Sequence, residues 1–333
     1  MSGYDPSVTH PGEHIGHDMA EDTTVKRSGF SLTGSGAGTQ LFLGLLWLGI
    51  TVWTTHATLT TSDDGPSGAL GQAVAELPGI VTTAMVTGAS IASAAASRSE
   101  RALVRLLVGL VAGVLFGAAV AVGLRYGYGN GESITVLAVT VGIACVVGGL
   151  AAALPNTVLE SALWAVSWVF FAFLILGVLQ PQALKMLGGG ATATPAAQAA
   201  ADSRFVLITA VAAGLLSAVQ GYRFLRMEHH ALPWYLVCGA IPGLILLAGE
   251  ALTTADGASL SRIVHGFTPG DAPVQDLSSA ARIRDALIVL AVGGVISMLG
   301  GARTNRAEKR EAELEAQREA AEREAEERES NED

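Results

Sequence analysis

Residues 104–124 read VRLLVGLVAGVLFGAAVAVGL, and Arg105 is the only charged side chain in this run. A helix of about 20 mostly apolar residues is long enough to cross the hydrocarbon core of a bilayer. The segment must be helical there, because hydrocarbon offers no partner for a free backbone N–H or C=O group. The stretch therefore predicts a membrane-spanning helix.

Seven other segments have the same apolar character and a similar length. The eight predicted spans are 40–59, 77–97, 104–124, 133–154, 157–179, 205–222, 232–252 and 284–301. Across the chain, 50% of the residues are hydrophobic and only 15% are charged, whereas a soluble domain carries about 25% charged residues. We predict an all-α fold, a polytopic integral membrane bundle of about eight transmembrane helices. This composition excludes a soluble globular domain and a disordered chain.

The charged residues gather at the two ends of the chain. We predict a disordered cytoplasmic tail over 1–39, the transmembrane domain over 40–301 and a charged cytoplasmic helix over 302–333. Alanine, glutamate and arginine dominate the last segment, and all three favour a helix. Its charge pattern is coiled-coil-like, with Glu–Arg pairs spaced i, i+4, but Leu314 is its only large apolar residue. A coiled coil needs a continuous apolar seam, so we predict a solvated helix.

Lysine and arginine predict the orientation of the bundle. With the N-terminus inside, 14 of the 20 Lys and Arg residues lie in cytoplasmic segments and 6 lie outside. Because cytoplasmic flanks are enriched in these residues, we predict a plasma (inner) membrane protein with both termini cytoplasmic. The external connections, 60–76, 180–204 and 253–283, are then long. Within the last one, residues 258–267 fit either a short interfacial helix or a loop.

Glu250 is the more constrained of the two carboxylates found between the ends of the predicted spans. It lies at the C-terminal end of the seventh span, where the helix dipole disfavours an anion. Four arginines, Arg125, Arg204, Arg282 and Arg284, are predicted on the same side of the membrane. We predict that Glu250 pairs with one of them. A structural ion pair is favoured, and a transport site is the alternative.

Glu160 is the other carboxylate, and it shares one face of the fifth span with Trp164 and Trp168. Two interpretations stay open. The three residues form either a carboxylate at the mouth of an aromatic groove or an interfacial glutamate beside two packing tryptophans. The second interpretation is favoured.

Glycine spacing predicts close helix contacts. Gly109, Gly113 and Gly117 follow one another every four residues in the third span, and such small residues let a second backbone approach closely. We expect this face to contact a helix and not lipid, with the second and third spans at the centre of the bundle. The pattern does not say whether the contact lies within one chain or between two copies.

Gly239, Pro242 and Gly243 predict a break or kink in the seventh span, because proline removes a helical hydrogen bond. Transporters use interrupted helices to offer backbone groups to a substrate, typically in two related halves. No matching break is evident in another span, which favours a packing role.

The N-terminal tail contains His10, His14 and His17, whose spacing would suit zinc, nickel or copper if the segment were helical. Pro11 and Gly16 argue against that helix. We therefore predict no resident metal or other cofactor.

No P-loop or HExxH motif occurs in the sequence, and both have fixed mechanical roles in their enzymes. We predict no catalytic residue, and the sequence favours a protein that is not an enzyme. Two functions stay open: a permease-like or flippase-like transport component for a small molecule or lipid, and a non-catalytic membrane scaffold or cell-envelope assembly protein. The predicted partners are membrane lipid, a cytoplasmic protein at the C-terminal tail and a second copy of the chain, with no nucleic acid.

Overall fold

The computed structural model divides the chain into two units, Met1–Gly34 and Ser35–Asp333. It describes residues 37–61, 65–97, 99, 101–128, 132–190, 193–227, 231–263 and 272–332. All of these lie in the second unit. The predicted metal candidates His10, His14 and His17 lie outside the described residues.

Within the described ranges the chain forms eight α-helices and no strand, which confirms the all-α prediction. The helices are α1 (Ala37–Thr61), α2 (Gly65–Ala96), α3 (Ala102–Tyr128), α4 (Glu132–Leu150), α5 (Asn156–Met186), α6 (Pro195–Arg226), α7 (Leu232–Ile263) and α8 (Ala272–Glu332). A short 3₁₀ turn, Ala151–Ala153, follows α4.

Seven of the eight described helices, α2 to α8, contain a stretch long and apolar enough to cross a membrane. The fold is thus an all-α membrane helix bundle. α1 is not among the seven. The crossing predicted for 40–59 therefore stays a prediction.

The prediction of long external connections is wrong for most of 60–76 and 180–204, because helix replaces loop there. α2 begins at Gly65, so Pro78 lies inside this helix and not at its start. α6 begins at Pro195, where proline suits the first helical position and the following alanines have the highest helix propensity. α7 continues to Ile263, and the rest of the predicted interfacial segment lies outside the described residues.

The charged tail continues the last span without a break, since α8 runs from Ala272 to Glu332. The predicted boundary between 301 and 302 therefore lies inside one helix. Glu319 and Arg323 form the predicted i, i+4 pair at 3.6 Å. The side chains of the second predicted pair, Glu324 and Arg328, lie outside those described.

Helices that are neighbours along the chain run antiparallel where they pack. Gly44 lies against Ser90 and Gly79 lies near Thr51, which sets α1 antiparallel to α2. Contacts between α3 and α4, α5 and α6, and α7 and α8 have the same sense. We call the end of the bundle at which the odd-numbered helices finish and the even-numbered helices begin the distal end.

The predicted centre of the bundle is correct for α2 and wrong for α3. In the apolar stretch of α2, 72% of the residues are buried, against 17% in α3. α2 packs against α1, α3, α4, α5 and α7, whereas α3 packs against α2, α4 and the 3₁₀ turn that follows α4. Gly109, Gly113 and Gly117 lie on one face of α3, and this is the face that α4 covers.

The predicted glycine face of α3 contacts α4, which confirms that it packs against a helix of the same chain. A Cβ atom added at Gly109 would lie 2.7 Å from the carbonyl oxygen of Gly149, and one at Gly117 would lie 2.6 Å from that of Gly142. Real Cβ atoms do not come this close. The two backbones can therefore meet only because these positions are glycine.

Arg105, the only charged side chain of the stretch that predicted the fold, is buried at the start of α3. Its Nη2 group donates a hydrogen bond to the carbonyl oxygen of Leu154, just beyond the 3₁₀ turn. A carbonyl beyond a helix end has no partner within that helix, so the guanidinium closes the α3–α4 pair at the end opposite the distal end.

α7 continues through Pro242, so the sequence Gly239–Gly243 does not interrupt the helix. Both glycines pack closely on α8, Gly239 against the backbone of Gly293 and Gly243 against that of Leu290. The packing interpretation of this segment is therefore the one that the contacts support.

Helices α1–α4 and α5–α8 use the same pairings. In the first half, α2 packs against α1, α3 and α4, and α3 packs against α4. In the second half, α6 packs against α5, α7 and α8, and α7 packs against α8. The chain thus consists of two similarly built four-helix halves.

Individual contacts repeat as well, at constant offsets along the chain. The matched pairs are Gly88–Cys145 and Gly214–Val289, Gly109–Gly149 and Gly239–Gly293, and Gly113–Val146 and Gly243–Leu290. Positions in α4 and α8 differ by 144 in all three cases (145 and 289, 149 and 293, 146 and 290). Thr83, Ala84, Gly88 and Ala92 in α2 also recur 126 positions later as Thr209, Ala210, Gly214 and Ala218 in α6.

The two halves differ in how their first helix is held. α5 packs against α7, but among the described residues α1 makes no contact with α3. α7 also packs against α2 and α4 of the first half. α1 is therefore held by α2 and α5 alone, and space remains beside it.

Replacing Gly117 by leucine tests the α3–α4 contact. The new side chain would collide with the Gly142 backbone, so we expect a loss of about 1–3 kcal/mol, the usual cost of overpacking. The measurement is the apparent melting temperature of the detergent-solubilised protein. Gly123→Leu is the matched control, since no described atom lies within 4 Å of an added Cβ there. Equal melting temperatures for the two variants would contradict the proposed contact.

Candidate functional site

A cavity of about 770 Å³ lies between the two halves. This volume is typical of a site for a small molecule or a lipid chain. Its walls come from α1 and α2 of the first half and from α5 to α8 of the second. The lining residues include Trp47, Thr51, Thr82, Thr83, Phe170, Phe173, Leu174, Gly177, Val178, Phe205, Thr209, Leu246, Glu250, Arg282 and Asp285.

Aromatic rings form the apolar wall. The rings of Trp47 in α1 and Phe170 in α5 meet edge to face, with centroids 5.6 Å apart and planes at 66°. This geometry is favourable for an aromatic pair, and it joins the two halves across the cavity. Phe173 and Phe205 extend the apolar surface.

Threonine hydroxyls supply much of the polar surface. Those of Thr51, Thr82, Thr83 and Thr209 each donate to a carbonyl oxygen one turn earlier in their own helix, at 2.6–2.9 Å. A hydroxyl has one proton and two lone pairs, so each of these oxygens is left as an acceptor. Thr83 and Thr209 are also the corresponding threonines of the two halves.

Glu250 is paired with Arg282, which confirms the predicted ion pair. Arg282 Nε donates to Oε2 at 2.7 Å, Nη2 donates to Oε1 at 3.0 Å, and the Ser279 hydroxyl donates to Oε1 at 2.6 Å. The Glu250 side chain is 3% exposed and that of Arg282 is 36% exposed. Three hydrogen bonds thus compensate a buried carboxylate, as burial of a charge requires.

The other predicted arginines do not join Glu250. Arg284 Nη2 lies 3.2 Å from the carboxylate of Asp285, its neighbour in the chain. Arg125 and Arg204 are exposed and are not among the hydrogen-bond partners of Glu250.

Asp285 lines the cavity, and sequence reasoning missed it. The eighth span was predicted to begin at 284, which placed this carboxylate at a helix end. α8 begins at Ala272, so Asp285 lies within the helix, three residues after Arg282 and on the same face. Since apolar content alone does not show this helix start, the sequence carries no signal that singles out Asp285.

The indole Nε1–H of Trp47 has no hydrogen-bond partner among the described residues. The side chain is only 8% exposed, and a buried donor is normally paired. Trp47 lines the cavity, but its Nε1 atom is itself buried, so the ring and not the N–H group faces a ligand.

Glu160, Trp164 and Trp168 are not among the residues that line this cavity. The backbone carbonyl of Glu160 accepts a hydrogen bond from Gln40 at 3.4 Å. Trp168 packs edge to face on Phe171, with centroids 5.6 Å apart. The predicted aromatic groove at these residues stays a prediction.

Part of the cavity wall is exposed on the flank of α5. The lining residues lie inside their helices, and Phe205 lies ten residues after the start of α6, about 15 Å along a helix at 1.5 Å per residue. Val178 of the cavity wall is 72% exposed. The cavity is therefore open beside an exposed apolar side chain.

Neither a protein-family model, nor a curated protein, nor a solved structure matches the chain. The function of the chain is therefore inferred from the geometry of the cavity.

Removing Arg282 should destabilise the protein more than removing Glu250. Arg282→Ala leaves a buried carboxylate with Ser279 alone, and we expect a loss of about 2–4 kcal/mol, whereas Glu250→Gln leaves a partly exposed guanidinium and should cost about 1–2 kcal/mol. Both are measured as changes in apparent melting temperature. Arg323→Ala is the control, because it breaks an exposed tail pair of little value. A wild-type melting temperature for Arg282→Ala would contradict this account of the pair.

Proposed function

We propose that the chain is a permease-like or flippase-like transport component for a small molecule or lipid. The observation that carries the proposal is the cavity between two similarly built halves. Many transporters consist of two structural repeats, and their substrate sites lie at the interface between the repeats. Corresponding helices line both sides of this cavity, α1 and α2 in one half and α5 and α6 in the other.

The exposed apolar side chain of Val178 in the wall favours a ligand that arrives from the membrane. Exposed apolar side chains of a membrane bundle face lipid, so a substrate dissolved in lipid can reach the aromatic wall beside α5. The charged groups near the distal end would then meet its polar part. A molecule with an apolar body and a polar end is the occupant that suits both surfaces.

The charged tail is the feature that supports the alternative scaffold function. Glu319 and Arg323 belong to a long exposed helix, which is a suitable docking arm for a cytoplasmic partner. The long external loops that also favoured a scaffold are largely helical. The distribution of Lys and Arg favours cytoplasmic termini in the plasma (inner) membrane, and the proposal includes this orientation.

The test of transport uses the full chain in liposomes that contain a trace of fluorescent phospholipid. Dithionite added outside destroys the fluorescence of outer-leaflet lipid, so lipid movement shows as a larger quenched fraction than in protein-free vesicles. We expect the wild-type chain to produce this increase. Gly177→Phe should slow it at least about tenfold, because Gly177 lines the cavity and no described atom lies within 4 Å of an added Cβ.

Gly49→Phe is the matched control for that experiment. Gly49 also lies inside a helix with open space around it, but it is exposed and does not line the cavity. This variant should move lipid at the wild-type rate. A wild-type chain that moves lipid no faster than empty vesicles, or a Gly177→Phe variant as fast as wild type, would count against transport of lipid through the cavity.

The docking role of the tail has a separate test. A cytoplasmic partner retained by the full chain should be lost from a chain that ends at Arg306. Equal sets of retained proteins would remove the docking arm and leave the tail as a solvated extension of α8.

A further inference from the structure

We propose that the cavity binds an amphiphile whose polar end carries an ammonium cation. The inference rests on the proposed function and deepens it by naming the chemical class of the ligand. It is carried by the distribution of acceptors, charges and aromatic rings over the cavity wall.

Hydrogen-bond acceptors dominate the polar part of the wall. The four threonine oxygens described above are left as acceptors because their protons are donated within their own helices. They come from α1, α2 and α6, so they surround the cavity and do not lie on one side. An ammonium group has three donors and no acceptor, which is the complement of such a wall.

The charges of the wall favour a cation. Its ionisable side chains are two carboxylates, Glu250 and Asp285, and one guanidinium, Arg282. Glu250 and Arg282 neutralise each other through two hydrogen bonds. The only ion-pair partner of Asp285 in the described chain is Arg284, which is 52% exposed. Both hydrogen bonds from Arg284 go to Oδ1 of Asp285, so Oδ2 is the carboxylate oxygen on which a ligand cation can bind.

The remaining wall fits the rest of such a molecule. Phe170 and Phe173 present aromatic surface to an apolar body, and the faces of such rings also attract cations. The ring of Trp47, which packs on Phe170, extends this aromatic surface. One molecule can thus contact the carboxylate, the hydroxyl oxygens and the aromatic rings together.

The experiment compares three probes with the same tail and different heads: octylammonium, octanoate and octanol. Titration calorimetry with the full chain in nanodiscs measures their binding, and empty nanodiscs of the same lipid correct for partitioning. We expect octylammonium to bind about tenfold or more tightly than octanol, the ratio that one charge-assisted hydrogen bond of about 1.4 kcal/mol supplies. Octanoate should bind no better than octanol.

Asp285→Asn should remove the preference for octylammonium while leaving octanol binding unchanged. Glu313→Gln is the control for loss of one negative charge, because Glu313 is exposed in the tail. Gly177→Phe should weaken all three probes, which places them in the cavity. Tighter binding of octanoate than of octylammonium would overturn the inference in favour of an anion held by Arg282, and so would a preference for octylammonium that survives Asp285→Asn.

The outcomes separate this inference from the proposed function. Octylammonium binding that depends on Asp285, with no lipid movement in liposomes, would keep the cation site and remove transport of lipid. Lipid movement that is blocked by Gly177→Phe, with no preference among the three heads, would keep transport and remove the cation site.

Discussion

Close backbone contact between small residues is the constraint on which this bundle depends. Helices in a bilayer gain little from hiding apolar side chains, because the surrounding lipid is apolar too, so packing and polar contacts must hold them together. Gly109 meets Gly149 in the first half, and Gly239 meets Gly293 in the second. These two contacts fix α3 on α4 and α7 on α8. They leave α2 and α6 to contact every other helix of their own half, and so they set the positions of the cavity walls.

The cavity follows from a difference between the halves. α7 packs against α5 and also reaches across to α2 and α4, whereas α1 contacts only α2 and α5 in the described part of the chain. If the two halves were equivalent, α1 and α5 would be packed alike and there would be no gap beside α1 only. The buried Glu250–Arg282 pair then gives the distal part of the wall a fixed geometry, because a carboxylate held by three donors has little freedom to move. Asp285 and the threonine oxygens are held in place by helices, and a selective site needs its groups in fixed positions.

Some of the site was within reach of the sequence. A carboxylate in a predicted span needs a cationic partner, and the structure identifies that of Glu250 as Arg282. The predicted reason was wrong, because α7 continues thirteen residues beyond Glu250 to Ile263 and the helix dipole acts only within the last turn. The glycine spacing of α3 likewise predicts a helix contact. Asp285 and Trp47 were out of reach for two different reasons. The position of Asp285 depends on the start of α8, which apolar content alone misplaces by a dozen residues. The role of Trp47 depends on which helix lies across from α1. The repeat was missed because its halves share only scattered small residues, such as Thr83, Gly88 and their counterparts in α6.

The sequence by itself determined that the chain is a membrane helix bundle with a charged helical tail, because the length and apolarity of each segment are local properties that a bilayer reads directly. It also determined which faces of α3 and α7 carry glycine. Only the tertiary structure decided that α3 lies at the edge, that the two halves are built alike, and that a cavity lined by Asp285 and by the Glu250–Arg282 pair separates them. Those features depend on which surfaces meet, and residues such as Thr83 and Thr209 become neighbours of one space only when helices far apart in the chain pack together.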